Sequence, residues 1–184
     1  MEFYPESRFK NWIKRIEESK IDENDVDTLN VFDQMVEDFV VACMNIVRAV
    51  KSREIKKDDA IREIDKIWRI VDSDISFDTD LKNMVYEFSI ESVKAVLASF
   101  KYYLEGKTSK KDIRTLLLEA LEKEKKGDLT GSFDLIARIG AKILRGEKFP
   151  ELEIPDDSAI LSWIDGIDAI NTAIRLNEID TSEV

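Results

Sequence analysis

Two pairs of carboxylates stand at a spacing that could do chemistry. Asp33 and Glu37 lie four residues apart in one apolar-periodic stretch, and Glu87 and Glu91 lie four apart in another; residues at i and i+4 of a helix share one side. If those two helices faced each other, the four carboxylates could hold Mg²⁺ or Mn²⁺ and orient a phosphate, as in all-helical nucleotide pyrophosphohydrolases. The Glu-Glu-x-x-Glu ligand pattern of those enzymes is absent. Around the helix axis, moreover, Asp33 and Glu37 fall on the flank of a stripe centred on Phe32, Phe39 and Cys43, where solvated boundary residues belong.

The chain has no histidine, which removes the commonest general base and the commonest nitrogen metal ligand. A di-iron bundle needs Glu-x-x-His, and a zinc site cannot be closed around the single Cys43, so no cofactor is expected. The run Asp72, Asp74, Asp78 and Asp80 lacks the central glycine and terminal glutamate of an EF-hand loop and reads as solvated caps. Gly106-Lys107-Thr108 imitates the end of a P-loop, but the first glycine of that motif would fall at Lys101, with no strand before it. Gly106 reads instead as a helix stop.

Positive charge gathers at turns. Lys51, Arg53, Lys56 and Lys57 surround one, Lys107, Lys110 and Lys111 a second, and Arg145 and Lys148 a third. Lysines near helix C-termini complement the helix dipole. If the turns share one edge of the molecule, they also form a surface for RNA or for an acidic protein partner. No aromatic residue interleaves with them, so base stacking is not indicated.

The elements that position these groups read as helices throughout. Phe9, Trp12, Ile13 and Ile16 after Pro5 mark a first helix over 6–19, and a long apolar stripe from Leu29 to Val50 marks a second beginning near Asn24. A third opens at Asp58 as its N-cap. A fourth spans 81–105, a fifth runs from Ser109 to just before Gly127, a sixth spans 131–145, and a seventh runs from Asp157 to Asn177. A shift of about 54 residues superposes Val31-Phe32-Asp33 on Val85-Tyr86-Glu87 and Lys56-Lys57-Asp58 on Lys110-Lys111-Asp112, which suggests an internal repeat. The expected fold is therefore all-α with about seven helices in one domain over 1–184: an N-terminal helix, then three antiparallel helical hairpins (about 24–72, 78–126 and 129–178), packed as a bundle or short array.

Phe9-Lys10-Asn11-Trp12, the Val31-Phe32-Asp33 helix and Ser162-Trp163-Ile164-Asp165 together resemble a family of uncharacterised archaeal helical proteins. The resemblance implies an archaeal source and carries no activity or site residue. With 43% hydrophobic and 36% charged residues, the chain can fill a core and keep a solvated exterior. Its net charge of -11 opposes long-range attraction to nucleic acid or anionic lipid. One cysteine, no spanning run and no signal-peptide pattern lead us to expect a cytoplasmic protein without a membrane partner. The expected function is an interaction or scaffolding module, more in keeping with these residues than an enzyme. The metal-dependent phosphohydrolase and a structural homo-oligomer, such as a homodimer through the first or last helix, are the alternatives.

Overall fold

The computed structural model describes residues 1–182, with side chains through Asn177. It contains seven α-helices, α1 (Glu6–Glu18), α2 (Asn30–Lys51), α3 (Lys57–Val71), α4 (Asp80–Glu105), α5 (Ile113–Lys125), α6 (Leu129–Leu144) and α7 (Ile160–Ser182). A 3-10 turn, Val26–Leu29, precedes α2. Among the described residues there is no strand, so the all-α expectation holds. No described helix is long and apolar enough to cross a membrane.

Local chemistry sets most boundaries. Thr79, Asp112 and Asp128 accept the backbone N–H groups of Lys82, Thr115 and Gly131 and so start α4, α5 and α6, satisfying donors that the first helical turn leaves open. Gly106 ends α4 with φ 74, a left-handed conformation that glycine adopts without a Cβ clash. Three starts differ from the sequence expectation. Residues 22–28 form a compact loop in which the Thr28 hydroxyl donates to the Asp25 carbonyl at 2.7 Å. These local bonds compete with the helix, so α2 begins at Asn30 rather than near Asn24. α3 starts on Lys56, with no side-chain cap, and Asp58 lies in its first turn. The polar run before Asp112 stays outside α5, so that helix begins at Ile113 rather than near Ser109.

α4 is the hub. From Ala95 to Phe100 every residue is buried, and its small residues let neighbours approach closely. A methyl group at Gly166 of α7 would stand 2.3 Å from the Ser92 carbonyl oxygen, and one at Gly140 of α6 would stand 1.9 Å from Ser99 Oγ. Ser92 Oγ donates to the Ser162 carbonyl at 2.7 Å across the α4/α7 contact. α2, α4 and α7 run in the same sense: Asp33, Met84 and Asp165 meet near their starts, and Met44, Phe100 and Ile174 meet near their ends. α3 returns along α4, with Lys101 paired to Asp65 at 2.6 Å and Lys94 to Asp72 at 3.7 Å.

The helices do not all pack on their sequence neighbours. α2 and α3 are in contact, but α5 lies mainly on α6 and hardly touches α4, while α6 and α7 both pack on α4. Ser132 Oγ donates to the Ala120 carbonyl at 2.8 Å and seals α5 to α6. A repeat of 54 residues would give α3 and α5 equivalent places; α3 sits on the hub and α5 does not. Periodicity identified the apolar faces, and packing paired them in a different order.

α1 is held by a carboxylate on α2. Asp38 accepts from Arg8 Nε at 2.9 Å and Trp12 Nε1 at 2.8 Å, and also pairs with Arg8 Nη2. Tyr4 stacks on Phe39 with ring centroids 4.3 Å apart, and Phe9 meets the same ring edge-on. This joins a polar clamp to an aromatic cluster worth more than its buried area alone. Neither Asp38 nor the buried lysines Lys82 and Lys142 stood out in the sequence. Lys82 donates to the Glu17 carbonyl at 2.9 Å and Lys142 to the Ser109 carbonyl at 2.8 Å, each stitching a helix to a chain segment far from it in sequence.

Candidate functional site

The C-terminal ends of α2, α4 and α6 come together at one end of the molecule. Each stops by its own device: Ser52 closes α2 on the Arg48 carbonyl, Gly106 turns α4 away, and Gly146, with φ 101, ends α6. A methyl group at Gly106 would lie 4.0 Å from Arg145 Nη2, so the last two stops adjoin. Between these ends lies a hollow of about 580 Å³, floored by Met44, Val47, Phe100, Ile143 and Ile174. Arg48, Lys51 and Arg145 stand on its rim. All three are exposed, and none makes an ion pair with another described residue. The partial negative charge of the carbonyl groups at helix C-termini favours cations here, so a basic rim gathers at this end of a protein whose net charge is -11.

The other basic residues are distributed differently. Arg53, Lys56 and Lys57 line a separate shallow hollow with Val50 and Ile55; Arg53 itself takes φ 63 to close the turn. Lys107 pairs with Glu105 at 2.9 Å and lies 5.1 Å from the Tyr102 ring centroid. Lys111 pairs with Glu119 at 2.6 Å, and Lys110 is exposed. Of the cations expected at the turns, only Lys51 and Arg145 share the hollow, and Arg48, one turn before the end of α2, completes the rim. Counting cations at turns missed Arg48 because it precedes the turn by a full helical turn. The signal was its spacing of three residues from Lys51 on one face.

The carboxylate pairs are not brought together. Asp33 and Glu37 face α7, where they line a groove with Asp165 and Asp168. Glu87 and Glu91 line a different hollow with Asp72, Asp74 and Lys94. Glu91 already accepts from Trp163 Nε1 at 2.8 Å and pairs with Lys94 at 3.2 Å, which makes it a packing residue. Among the described residues no three His, Cys, Asp or Glu side chains are grouped so as to hold a metal ion. Cys43 is fully buried, and that burial pushes its thiol far above the ordinary range.

Two further clusters have perturbed ionisation. Burial pushes the Tyr102 hydroxyl up to about 12, reinforced by its hydrogen bond of 2.6 Å to Asp134. Burial raises Asp134, but hydrogen bonds from Arg138 and Tyr102 outweigh it and leave that carboxyl below its usual value. Arg138 also donates to the Thr108 carbonyl at 2.9 Å, so this cluster ties the α4–α5 connection to α6. In the α2/α7 groove, burial raises Asp33. Burial first, then the charges of Asp33 and Asp168, raises Asp165, with Ser92 working in the opposite direction.

Beyond geometry, kinship is clear over nearly the whole chain. The chain belongs to DUF2150, a family of uncharacterized proteins conserved in archaea. The family's model matches residues 2–182, and so takes in every helix from α1 to α7. No curated protein and no solved structure matches the chain. The family supports the archaeal source expected from the sequence and assigns no role to any residue.

Proposed function

We propose that the protein is an interaction module whose basic-rimmed hollow receives an acidic segment of a partner protein. The observation that carries this reading is the combination of an apolar floor with three exposed cations, Arg48, Lys51 and Arg145, that have no ion-pair partner among the described residues. Surface cations usually sit near carboxylates on an acidic protein, and most hollows on a small domain are shallow and wet. A floor of Met44, Val47, Phe100 and Ile143 favours a partner that brings its own apolar side chains. That preference selects an amphipathic acidic peptide over RNA, whose backbone would meet only the rim. Anchoring comes from the apolar contact, and the rim sets register and charge preference.

The test uses a dye-labelled Glu/Leu peptide of about 18 residues, long enough to form a helix on binding, titrated by fluorescence anisotropy. Wild type is expected to bind it, and R48E/K51E/R145E is expected to weaken binding at least tenfold while still melting cooperatively, at a modestly lower temperature. Added salt should weaken the wild-type complex. Equal binding by the triple variant would overturn the reading. So would a labelled single-stranded RNA that binds more tightly than the peptide and loses affinity in the same variant.

A further inference from the structure

A second surface is built from the opposite charge. Eight large apolar side chains are exposed among the described residues, and five of them, Val26, Val41, Met84, Phe88 and Leu176, line two hollows along the flank of α2 and α7. Val26 is 71% exposed and Met84 62%, while Phe88, at 39%, is only partly so; the first two are not edges of the core that happen to show. The two hollows share Asp33 and Asp165 and so adjoin along one grooved flank. From Leu29 to Val41 the α2 wall runs for about 18 Å at the rise of an α-helix, roughly three turns.

The residues along this groove include Asp27, Asp33, Glu37, Asp165 and Asp168, and no lysine or arginine. None of these carboxylates makes an ion pair with another described residue. No cation among the described residues relieves their mutual repulsion, and Ser92 alone eases Asp165. A second copy docked groove to groove would set carboxylates against carboxylates, which is costly in a dry interface. An anionic lipid surface would be repelled for the same reason.

We infer that the α2/α7 groove docks a cationic amphipathic helix of a protein partner, with apolar side chains on Val26, Met84 and Phe88 at one end and on Val41 and Leu176 at the other, and lysines or arginines facing Asp33 and Asp165. The helix-in-groove mode supplies anchors at i, i+3, i+4 and i+7, which fits a groove three turns long. This surface does not depend on the basic hollow, and the two take partners of opposite charge, so one molecule can bridge two of them.

The experiment titrates a dye-labelled Lys/Leu peptide of about 18 residues, with the apolar pattern of the Glu/Leu probe, into wild type and three variants. Met84→Ser/Phe88→Ser removes apolar anchors, Asp33→Asn/Asp165→Asn removes central charge, and Asp72→Asn/Asp74→Asn removes equal charge elsewhere. The expected result is at least a tenfold loss for the first, a several-fold loss for the second and no change for the third, all with cooperative thermal melts that show the fold retained. Equal losses from the second and third variants would mean attraction to an acidic molecule at large and would overturn the proposal. Binding that survives Met84→Ser/Phe88→Ser, or is displaced by spermine as readily as by unlabelled peptide, would reduce the groove to a charge cluster and overturn it too. A wild-type dimer in sedimentation that Met84→Ser/Phe88→Ser dissolves would assign the groove to a second copy and contradict the inference. Failure of the Glu/Leu probe at the basic hollow leaves each of these outcomes unaffected.

Discussion

At the ends of α2, α4 and α6, apolar side chains are ringed by Arg48, Lys51 and Arg145; along the flank of α2 and α7, similar side chains are ringed by Asp33, Glu37, Asp165 and Asp168. The two rims differ in what folding alone requires. Cations beside helix C-termini interact favourably with the backbone dipole, so the basic rim helps the helices that carry it. In the acidic rim only Asp33, in the first turn of α2, has a comparable benefit. Asp165 and Asp168 lie three apart on one helix, and neither has a cation to answer it. A charge pattern that works against folding invites an explanation outside folding. A cationic partner helix in the groove would supply one.

The largest effect expected is at the contact that builds the acidic groove. Gly166→Val would drive side-chain atoms into the Ser92 carbonyl, a backbone oxygen that cannot swing away. It should cost about 3 kcal/mol in urea denaturation and displace α7. Asp38→Ala should cost about 2 kcal/mol, because the Arg8 guanidinium and the Trp12 N–H lose their shared acceptor. α1 lines neither hollow, so this variant should bind both probe peptides as wild type does. If it does not, the two surfaces are coupled to the amino-terminal clamp and cannot be compared as independent sites.

Two smaller substitutions test the contrast directly, because their signs should be opposite. Lys51→Gln should lower stability by about 0.5 kcal/mol by removing a cation from the last turn of α2. Asp165→Asn should raise stability at neutral pH by about 0.3 kcal/mol, the scale of a like-charge pair on a helix face. The pH dependence follows from the direction of the Asp165 shift. Its folded-state carboxyl titrates above the unfolded value, so the wild type binds more protons when folded and loses stability as pH rises through that window. The Asn advantage should be full at pH 7 and disappear below the ordinary aspartate range, near pH 4 and under. A Lys51→Gln gain, or an Asp165→Asn advantage that persists in acid, would break the distinction between the two rims.

What could be read from the sequence was local. Helix content and the stop at Gly106 depend on residues a few positions apart, and the spacing of apolar residues reports them. Which helix lies on which depends on fits such as Gly140 against Ser99 and Gly166 against Ser92. Nothing in a helical period marks those glycines as contact points, and so α5 was paired with α4 rather than with α6. The same limit governed the sites. Lys51 and Arg145 stood out as cations at turns, but their meeting with Arg48 needed three helix ends to converge. Asp33 and Glu37 were correctly placed on the flank of the α2 stripe. Asp165 and Asp168, which join them, lie some 130 residues further on in the chain, beyond the reach of any spacing rule.

The most direct measurement is a pair of ¹H–¹⁵N correlation spectra of the same protein titrated separately with the Glu/Leu and the Lys/Leu peptide. Our account predicts two separate sets of shifted amides, one around Met44, Lys51, Phe100 and Arg145, the other around Val26, Asp33, Met84 and Asp165. A single common set, or shifts scattered without regard to either hollow, would contradict it.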